Sequence, residues 1–347
     1  MASYTPCPDV RFFLSLNITS IIDRPLIPLE IQSSIAWSVL FACILLSNGL
    51  IFGVIIFKRH FKNPGSDILA SLCLANILYS FAYILPIKMM VIGNSLDPFR
   101  NGYCQLSSAI LFAFVCIINF HICYMGLEKL ITITKLTWHQ HMGIYRISFI
   151  IIMVCMIWCL PIFFAFFPLI IGWWRLCPYF CSISFTQSGS LRQQLVAWNL
   201  SWSFLTFLLP TCVTILLYSR IVCVTRNNHN ILKGTPANTS YNFVTKATVA
   251  VAVIVGVYLL LQTPYNIFQI INIVTPKAIK ASSKFIIREW LAYVASWNSV
   301  TSPLIFAYFD LSLRRGIFEV IRCKCCSSKA SPNDPTNAMT MGTLKYN

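Results

Sequence analysis

Long runs of apolar residues, separated by short polar segments, dominate this chain. A helix needs roughly 20 mostly apolar residues to cross a bilayer, because the hydrocarbon core is about 30 Å thick and each residue rises about 1.5 Å. The runs that reach this length are Ile35–Phe57, Ile68–Val91, Leu106–Leu130, Ile147–Ile171, Leu195–Val222, Val244–Val274 and Trp290–Phe309. The pattern therefore predicts an all-α membrane protein, a bundle of seven transmembrane helices.

The composition supports this interpretation. Of the 347 residues, 57% are apolar and only 10% are charged, whereas a soluble domain carries about a quarter charged residues. So few charges cannot solvate the surface of a globule of this size. The composition argues against a soluble enzyme, a disordered protein or a nucleic-acid-binding protein, despite a net charge of +16.

The distribution of Lys and Arg predicts the orientation in the membrane. With seven spans the termini lie on opposite sides. The N-terminal side carries Arg11, Arg24, Lys88, Arg100, Arg175, Arg192, Lys277, Lys280, Lys284 and Arg288, and the other side carries the remaining 16 of 26 basic residues. The more basic side is usually cytoplasmic. We therefore expect a protein of the plasma membrane with its N-terminus on the extracellular side and its C-terminus on the cytoplasmic side.

Modification patterns agree with that orientation. Asn17-Ile18-Thr19 is a glycosylation sequon on the outer tail. Cys323, Cys325 and Cys326 follow the last span beside basic residues, as in palmitoylation sites. Among the outer cysteines we expect a disulfide between Cys104 and either Cys181 or Cys177, while Cys7 takes the remaining partner or stays a free thiol.

Characteristic polar, aromatic and proline residues mark each span. They are Asn48; Leu69–Asn76; Cys104 with Glu128-Lys129-Leu130; Trp158 and Pro168; Pro210 and Tyr218; Leu261-Gln262-Thr263-Pro264; and Asn298 with Ser302-Pro303-Leu304-Ile305-Phe306. In this register the chain resembles a divergent member of the rhodopsin-like (class A) G-protein-coupled receptors, from Asn48 to Phe318. The resemblance implies a cell-surface receptor that signals to heterotrimeric G proteins.

The resemblance also implies a domain plan. An extracellular tail would occupy residues 1–34, the receptor domain 35–309, an amphipathic eighth helix along the inner leaflet 310–322, and a cytoplasmic tail 323–347.

Several switch positions depart from the family pattern. Asn76 replaces an aspartate and Ile118 a serine, so the resemblance implies that no sodium ion binds there. Lys129 replaces an arginine beside Glu128, and the cytoplasmic end of the sixth span, Phe243-Val244-Thr245-Lys246, has no carboxylate. Lys129 and Lys246 would repel each other, which favours raised basal signalling. A solvated Glu128–Lys129 ion pair is the alternative. The G-protein and switch positions are Glu128, Lys129, Tyr218, Lys246, Pro264, Ser302, Pro303 and Phe306.

Gln262 replaces the tryptophan of the sixth span, and Asn119 and Tyr258 alter the contact near Pro210. Buried amides need partners in hydrocarbon, so Gln262 and Asn119 are expected to bond each other, Asn298 or the ligand. The predicted switch therefore works through amide hydrogen bonds.

In this family the ligand pocket lies between the outer halves of the third, fifth, sixth and seventh helices. The candidate wall is Leu111, Phe112, Val115, Trp202, Thr206, Gln262, Tyr265, Asn266, Gln269, Ala292 and Ala295. Leu111 stands in place of the aspartate of amine receptors, and Ser296 in place of the lysine of opsins. A classical amine and retinal are therefore not expected as ligands.

The class of ligand stays open at this stage. A cluster of Lys277, Lys280, Lys284 and Arg288 either attracts an anionic ligand or forms a solvated loop. We expect no cofactor, no metal and no nucleic-acid partner, since the His139-Gln140-His141 pair is weak evidence for zinc. A chemosensory receptor is a narrower interpretation. The alternatives are a non-coupling decoy or scaffold receptor and, less favoured, a small-solute transporter.

Overall fold

The computed structural model describes residues 28–57, 64–85, 98–134, 143–170, 190–232, 238–275 and 281–322. Almost every residue in these ranges is helical, and none of them forms a strand. The predicted all-α architecture is confirmed for this part of the chain.

The first four helices are single elements of about four to ten turns. α1 comprises Pro28–Phe57, α2 Pro64–Tyr79, α3 Pro98–Thr134 and α4 Gly143–Ile170. A π-helical turn, Ser80–Ile84, continues α2.

The later helices contain more interruptions. α5 comprises Ser190–Ser203, a π-helical turn at Phe204–Leu208, and Leu209–Leu232. α6 spans Asn238–Val274 with Pro264 inside it. α7 has two parts, Ala281–Ser296 and Asn298–Phe309, and α8 covers Leu311–Ile321.

Most of these helices are longer at one end than the apolar runs from which they were predicted. α1 begins at Pro28, upstream of the predicted boundary at Ile35, and α7 begins at Ala281, upstream of Trp290. The difference is physical, because hydropathy detects only the part of a helix that lies in hydrocarbon, while the backbone hydrogen bonds continue into the polar flanks.

Five described segments are long and apolar enough to cross a membrane. They are Gln32–Phe57, Ser66–Ile84, Ala109–Glu128, Val196–Val224 and Val253–Val274, and a shorter apolar segment covers Ile151–Phe167. Large apolar side chains are also exposed on the outside of the bundle, including Leu46 and Leu260 at 73% and Leu216 at 66%. Since a water-soluble protein rarely exposes so much apolar surface, the chain is a multi-pass membrane protein.

The helices pack in chain order, and α7 closes the ring. α3 contacts α2, α4 and α5, while α6 contacts α5 and α7. The second part of α7 reaches back to α1 and α2, and α8 packs against α1 and α7. Fully buried aliphatic side chains such as Ile44, Leu72 and Ile117 fill the centre. The closed ring brings residues that are distant in sequence to the same buried interior.

Candidate functional site

Uncharged polar side chains are buried throughout the apolar interior. Among the described residues they include Asn48, Asn76, Asn119, His121, Gln262 and Asn298, each at most 8% exposed. A buried amide or imidazole without a partner is costly in hydrocarbon. Their hydrogen bonds therefore show which helices are tied together.

One network joins α1, α2 and α7. Asn48 Nδ2 donates to Ser299 O at 2.9 Å and to Ile44 O at 3.0 Å. Asn76 Nδ2 donates to Asn48 Oδ1 at 3.0 Å, so the Asn76 amide already acts as a helix-to-helix donor. Neighbouring Ser302 Oγ donates to Asn298 Oδ1 at 2.6 Å.

A second network joins α2, α3 and α4. His121 Nδ1 lies 2.8 Å from Ile117 O, which can only accept, so Nδ1 carries a proton. In the neutral ring favoured by burial, Nε2 then accepts from Ser71 Oγ at 2.9 Å, and Ser71 Oγ accepts from Trp158 Nε1 at 3.0 Å. Sequence analysis did not single out Ser71 or His121. The available signal was a histidine within an otherwise apolar span.

A third network joins α3 to α5 at a proline. Asn119 Nδ2 donates to Thr206 O at 2.6 Å. Because Pro210 has no N–H, it cannot donate to this carbonyl four residues earlier, and Asn119 supplies the donor from another helix. The Cys123 thiol adds contacts to Pro210 O at 3.3 Å and to Thr214 Oγ1 at 3.2 Å.

The fourth network joins α6 to α7. Gln262 Nε2 donates to Ala295 O at 3.0 Å, next to Trp297, where α7 is interrupted and Trp297 N bonds Val294 O. Within α6, Asn266 Nδ2 donates to Gln262 O at 2.8 Å. Gln262 and Asn119 thus donate to backbone carbonyls in this structure, rather than to each other or to Asn298.

The predicted pocket residues divide into two groups. On one side, Phe112 and Trp202 meet edge to face at 5.4 Å beside α4, and Thr206 Oγ1 donates to Trp202 O at 2.8 Å. On the other side, Gln269 Nε2 donates to the Tyr265 hydroxyl at 2.6 Å. Among the remaining candidates, the structure places Leu111 and Ala292 against the main core, leaves Val115 half-buried, and buries Ala295.

A partly buried carboxylate, Glu289, lies where the first turns of α1 and α7 meet. Its Oε1 accepts from Ser33 Oγ at 2.9 Å and from Trp37 Nε1 at 2.8 Å, both on α1. Sequence analysis did not single out Glu289, because its hydrogen-bond partners on α1 are far from α7 in the chain.

Aromatic rings surround this carboxylate. Tyr79 and Tyr83 stack at 5.6 Å, Trp37 meets Tyr293 edge to face at 5.6 Å, and the Tyr79 hydroxyl lies 3.2 Å from Ser296 Oγ. Ser296, which stands at the position of the opsin lysine, thus forms a hydrogen bond with α2.

At the inner end of the bundle, Tyr218 packs against a glycine. A Cβ at Gly126 would lie 3.3 Å from Tyr218 Cζ, so the glycine makes room for the ring. Glu128, Ser302 and Phe306 are buried at 8%, 3% and 8% exposure, and Pro303 is buried as well. Pro264 is exposed on α6.

Several predicted sites lie outside the described residues or side chains. Cys177, Cys181, Asn17 and the predicted palmitoylation cysteines are outside the described ranges. The side chains of Cys104, Lys129 and Lys246 are likewise outside the described set, although their helices are described. All of these remain predictions.

Comparison with known proteins gives a consistent result. Residues 47–306 match the family described as 7 transmembrane receptor (rhodopsin family). Similar proteins include trace amine-associated receptor 8b of Rattus norvegicus, 26% identical over 307 residues that cover 80% of this chain and 83% of the relative. Another is trace amine-associated receptor 7d of Mus musculus, 27% identical over 302 residues, covering 82% and 80% respectively.

We expect Asn119→Leu to destabilise the protein by about 1 kcal/mol, because Thr206 O loses its interhelical donor next to Pro210. The measurement is thermal unfolding of the detergent-solubilised protein. Ser219→Ala is the matched control, since this exposed hydroxyl bonds only Ile215 O of its own helix among the contacts described. Equal melting temperatures for Asn119→Leu and the control would show that the α3–α5 bond contributes nothing.

Proposed function

The chain belongs to the rhodopsin family of seven-transmembrane receptors, and we propose that it transmits extracellular ligand binding to a heterotrimeric G protein through interhelical amide hydrogen bonds. As a member of this family it is a G-protein-coupled receptor and not an enzyme. The bond from Gln262 Nε2 to Ala295 O carries the proposal, because it ties α6 to α7 where the family usually has a tryptophan.

The chemistry of this bond suits a switch. An amide that donates to a backbone carbonyl has a directional contact, and movement of α6 relative to α7 must break it. An interhelical hydrogen bond in a membrane contributes about 0.6 kcal/mol on average, so a ligand can exchange it for contacts of its own. The Asn119–Thr206 O bond at the π-helical turn of α5 gives a second such contact in the same interior.

The inner end of the receptor supports signalling without ligand. With Lys129 for arginine, and with Lys246 but no carboxylate at this end of the sixth span, the attraction that usually restrains the resting state is replaced by repulsion between two like charges. The N-terminus is proposed to be extracellular and the receptor to reside in the plasma membrane, as the basic residues indicate. A chemosensory role is a narrower proposal within this function.

G-protein coupling is tested by a subunit-dissociation assay in cells that express the receptor without added ligand. We expect dissociation above that of mock-transfected cells at verified surface expression, because the resting restraint is weak. A signal equal to that of mock cells for every G-protein class would contradict efficient coupling and favour a decoy or scaffold role.

Gln262→Leu is expected to raise this basal signal about threefold, since loss of one interhelical bond of about 0.6 kcal/mol shifts the equilibrium by that factor. Gln269→Leu is the matched control. Its amide bonds Tyr265 within the same helix, so its loss leaves the α6–α7 contact in place. An unchanged basal signal and an unchanged agonist response in Gln262→Leu would exclude the proposed switch.

We further propose that the ligand is an organic cation anchored at Glu289. The relatives are named trace amine-associated receptors, whereas this chain has Leu111 where amine receptors carry their aspartate. We therefore still do not expect an amine that pairs with a carboxylate on α3. Glu289 supplies a carboxylate in the outer half of the bundle, on the side formed by α1, α2 and α7.

The surroundings of Glu289 suit an ammonium group with an aromatic or apolar body. Trp37 and Ser33 orient the carboxylate through two neutral donors, which stabilise its charge without neutralising it. Half-buried Tyr83, which stacks on buried Tyr79, adds an aromatic ring to this side of the bundle. Arg288, one residue before Glu289, opposes cation binding. Neutralising Arg288 should therefore have the opposite effect on cation affinity from neutralising Glu289.

The probe is 2-phenylethylammonium, with neutral 2-phenylethanol as its counterpart, measured by calorimetry on the purified receptor. We expect Glu289→Gln to weaken binding of the cation at least tenfold, as for loss of a charged hydrogen bond of about 1.5–3 kcal/mol. Arg288→Gln is expected to strengthen it.

Direct binding separates the ligand class from coupling. Equal binding of the alcohol and the ammonium, or cation binding unaffected by Glu289→Gln, would refute the cation proposal and leave the coupling proposal to the dissociation assay.

A further inference from the structure

Two hydroxyl groups between α5 and α6 are buried without a hydrogen bond among the described residues. They are the phenol of Tyr258 on α6 and Thr211 Oγ1 on α5. The Tyr258 side chain is 1% exposed and belongs to the main core. A buried hydroxyl without a partner costs free energy in an apolar interior, so a native protein that keeps two of them side by side requires a physical reason.

Thr211 differs from the other hydroxyl residues of α5. Thr206 and Ser219 each donate to the carbonyl four residues earlier in their own helix, at 2.8 and 2.7 Å. Thr214, one turn after Thr211, instead contacts Cys123 of α3 at 3.2 Å. Such bonds satisfy a hydroxyl within its helix or across an interface. Among the described contacts the Thr211 hydroxyl has neither, which leaves it open to a partner on another helix.

The two hydroxyls lie close to each other where α5 packs against α6, but they do not meet hydrogen-bond geometry. Further along the same interface, Tyr218 and Ile221 of α5 pack against Val255 of α6. The two helices therefore run side by side through this region. A small movement of one against the other is enough to bring the Tyr258 O–H onto Thr211 Oγ1.

The position of Tyr258 on α6 connects it to the α6–α7 bond. Tyr258 lies four residues before Gln262, so the two side chains project from neighbouring turns on one side of the helix. Gln262 Nε2 holds this part of α6 to α7 through Ala295 O. Pro264 follows two residues later and removes a backbone hydrogen bond, which makes α6 easier to bend here. Opening of the Gln262 bond therefore frees this part of α6 to approach α5.

We propose that α6 exchanges hydrogen-bond partners when the receptor signals: the Gln262 bond to α7 opens, and the Tyr258 hydroxyl donates to Thr211 Oγ1 on α5. This inference rests on the proposed signalling function and adds to it the contact that stabilises the signalling conformation. Tyr258 and Thr211 are positioning residues, because they act on the orientation of α6. One interhelical bond replaces another, so the two conformations stay close in free energy, as a switch requires.

The first test is the basal signal in the G-protein dissociation assay. Tyr258→Phe and Thr211→Val each remove one hydroxyl and keep a side chain of similar shape. We expect each to lower the basal signal about threefold, the factor that corresponds to about 0.6 kcal/mol for an average interhelical hydrogen bond in a membrane. Thr211→Ser keeps the hydroxyl and should keep the signal. Tyr308→Phe, at a tyrosine that is 61% exposed, is the matched control and should leave the signal unchanged.

Thermal unfolding of the ligand-free receptor in detergent should give the opposite sign. Because the two hydroxyls have no hydrogen bond in this structure, Tyr258→Phe and Thr211→Val should raise the melting temperature. Thr214→Val removes a hydroxyl that contacts Cys123 and should lower it. If Tyr258→Phe and Thr211→Val instead lower the melting temperature and raise the basal signal, the bond belongs to the resting conformation and the proposal is overturned.

Fluorine NMR of the purified receptor separates this proposal from G-protein coupling. The probe is 3-fluorotyrosine at position 258, whose resonance reports the environment of its hydroxyl. In the Gln262→Leu variant, which lacks the bond to α7, we expect a second resonance that an additional Thr211→Val change removes. A single resonance in both backgrounds overturns the exchange even where the receptor couples. A second resonance that depends on Thr211, without G-protein dissociation, supports the exchange and contradicts the coupling proposal instead.

Discussion

Inside a bilayer, each buried amide, hydroxyl or imidazole must find its hydrogen-bond partner within the protein, because the lipid tails offer none. In this receptor Asn48, Asn119, His121 and Gln262 meet that requirement by bonding across helix boundaries. These contacts stabilise specific helix pairs in a bundle whose apolar surfaces would otherwise pack in many ways. The arrangement of α1 to α7 depends on them.

The same requirement connects architecture to signalling. A proline leaves the carbonyl four residues earlier without its usual donor, and Asn119 of a neighbouring helix bonds such a carbonyl at Thr206, while Gln262 bonds the carbonyl of Ala295. Each contact lies where a helix is already irregular, at the π-helical turn of α5 and at Trp297 of α7. A bond of modest strength at an irregular position is well placed to change between two receptor conformations.

Charge has a different role at the two ends of the molecule. Where α1 and α7 begin, one carboxylate is held by α1 donors beside aromatic rings. Beyond the inner end of α7, the arginines of α8 remain on the surface beside exposed rings. Of the 26 basic residues, 16 lie on the side that we propose to be cytoplasmic, and the carboxylate of Glu289 carries the ligand recognition that we propose.

Composition and apolar run length were sufficient to predict a helical membrane protein, since about 20 apolar residues are required of any spanning helix, and the register of landmarks was sufficient for the family. The sequence also singled out Gln262 and Asn119 as buried amides in need of partners. Their actual partners, Ala295 O and Thr206 O, were not predictable, because carbonyl availability depends on where α5 and α7 become irregular. Glu289, Ser33 and Trp37 show the same limit: their contact joins residues about 250 positions apart, and only the closure of α7 against α1 brings them together.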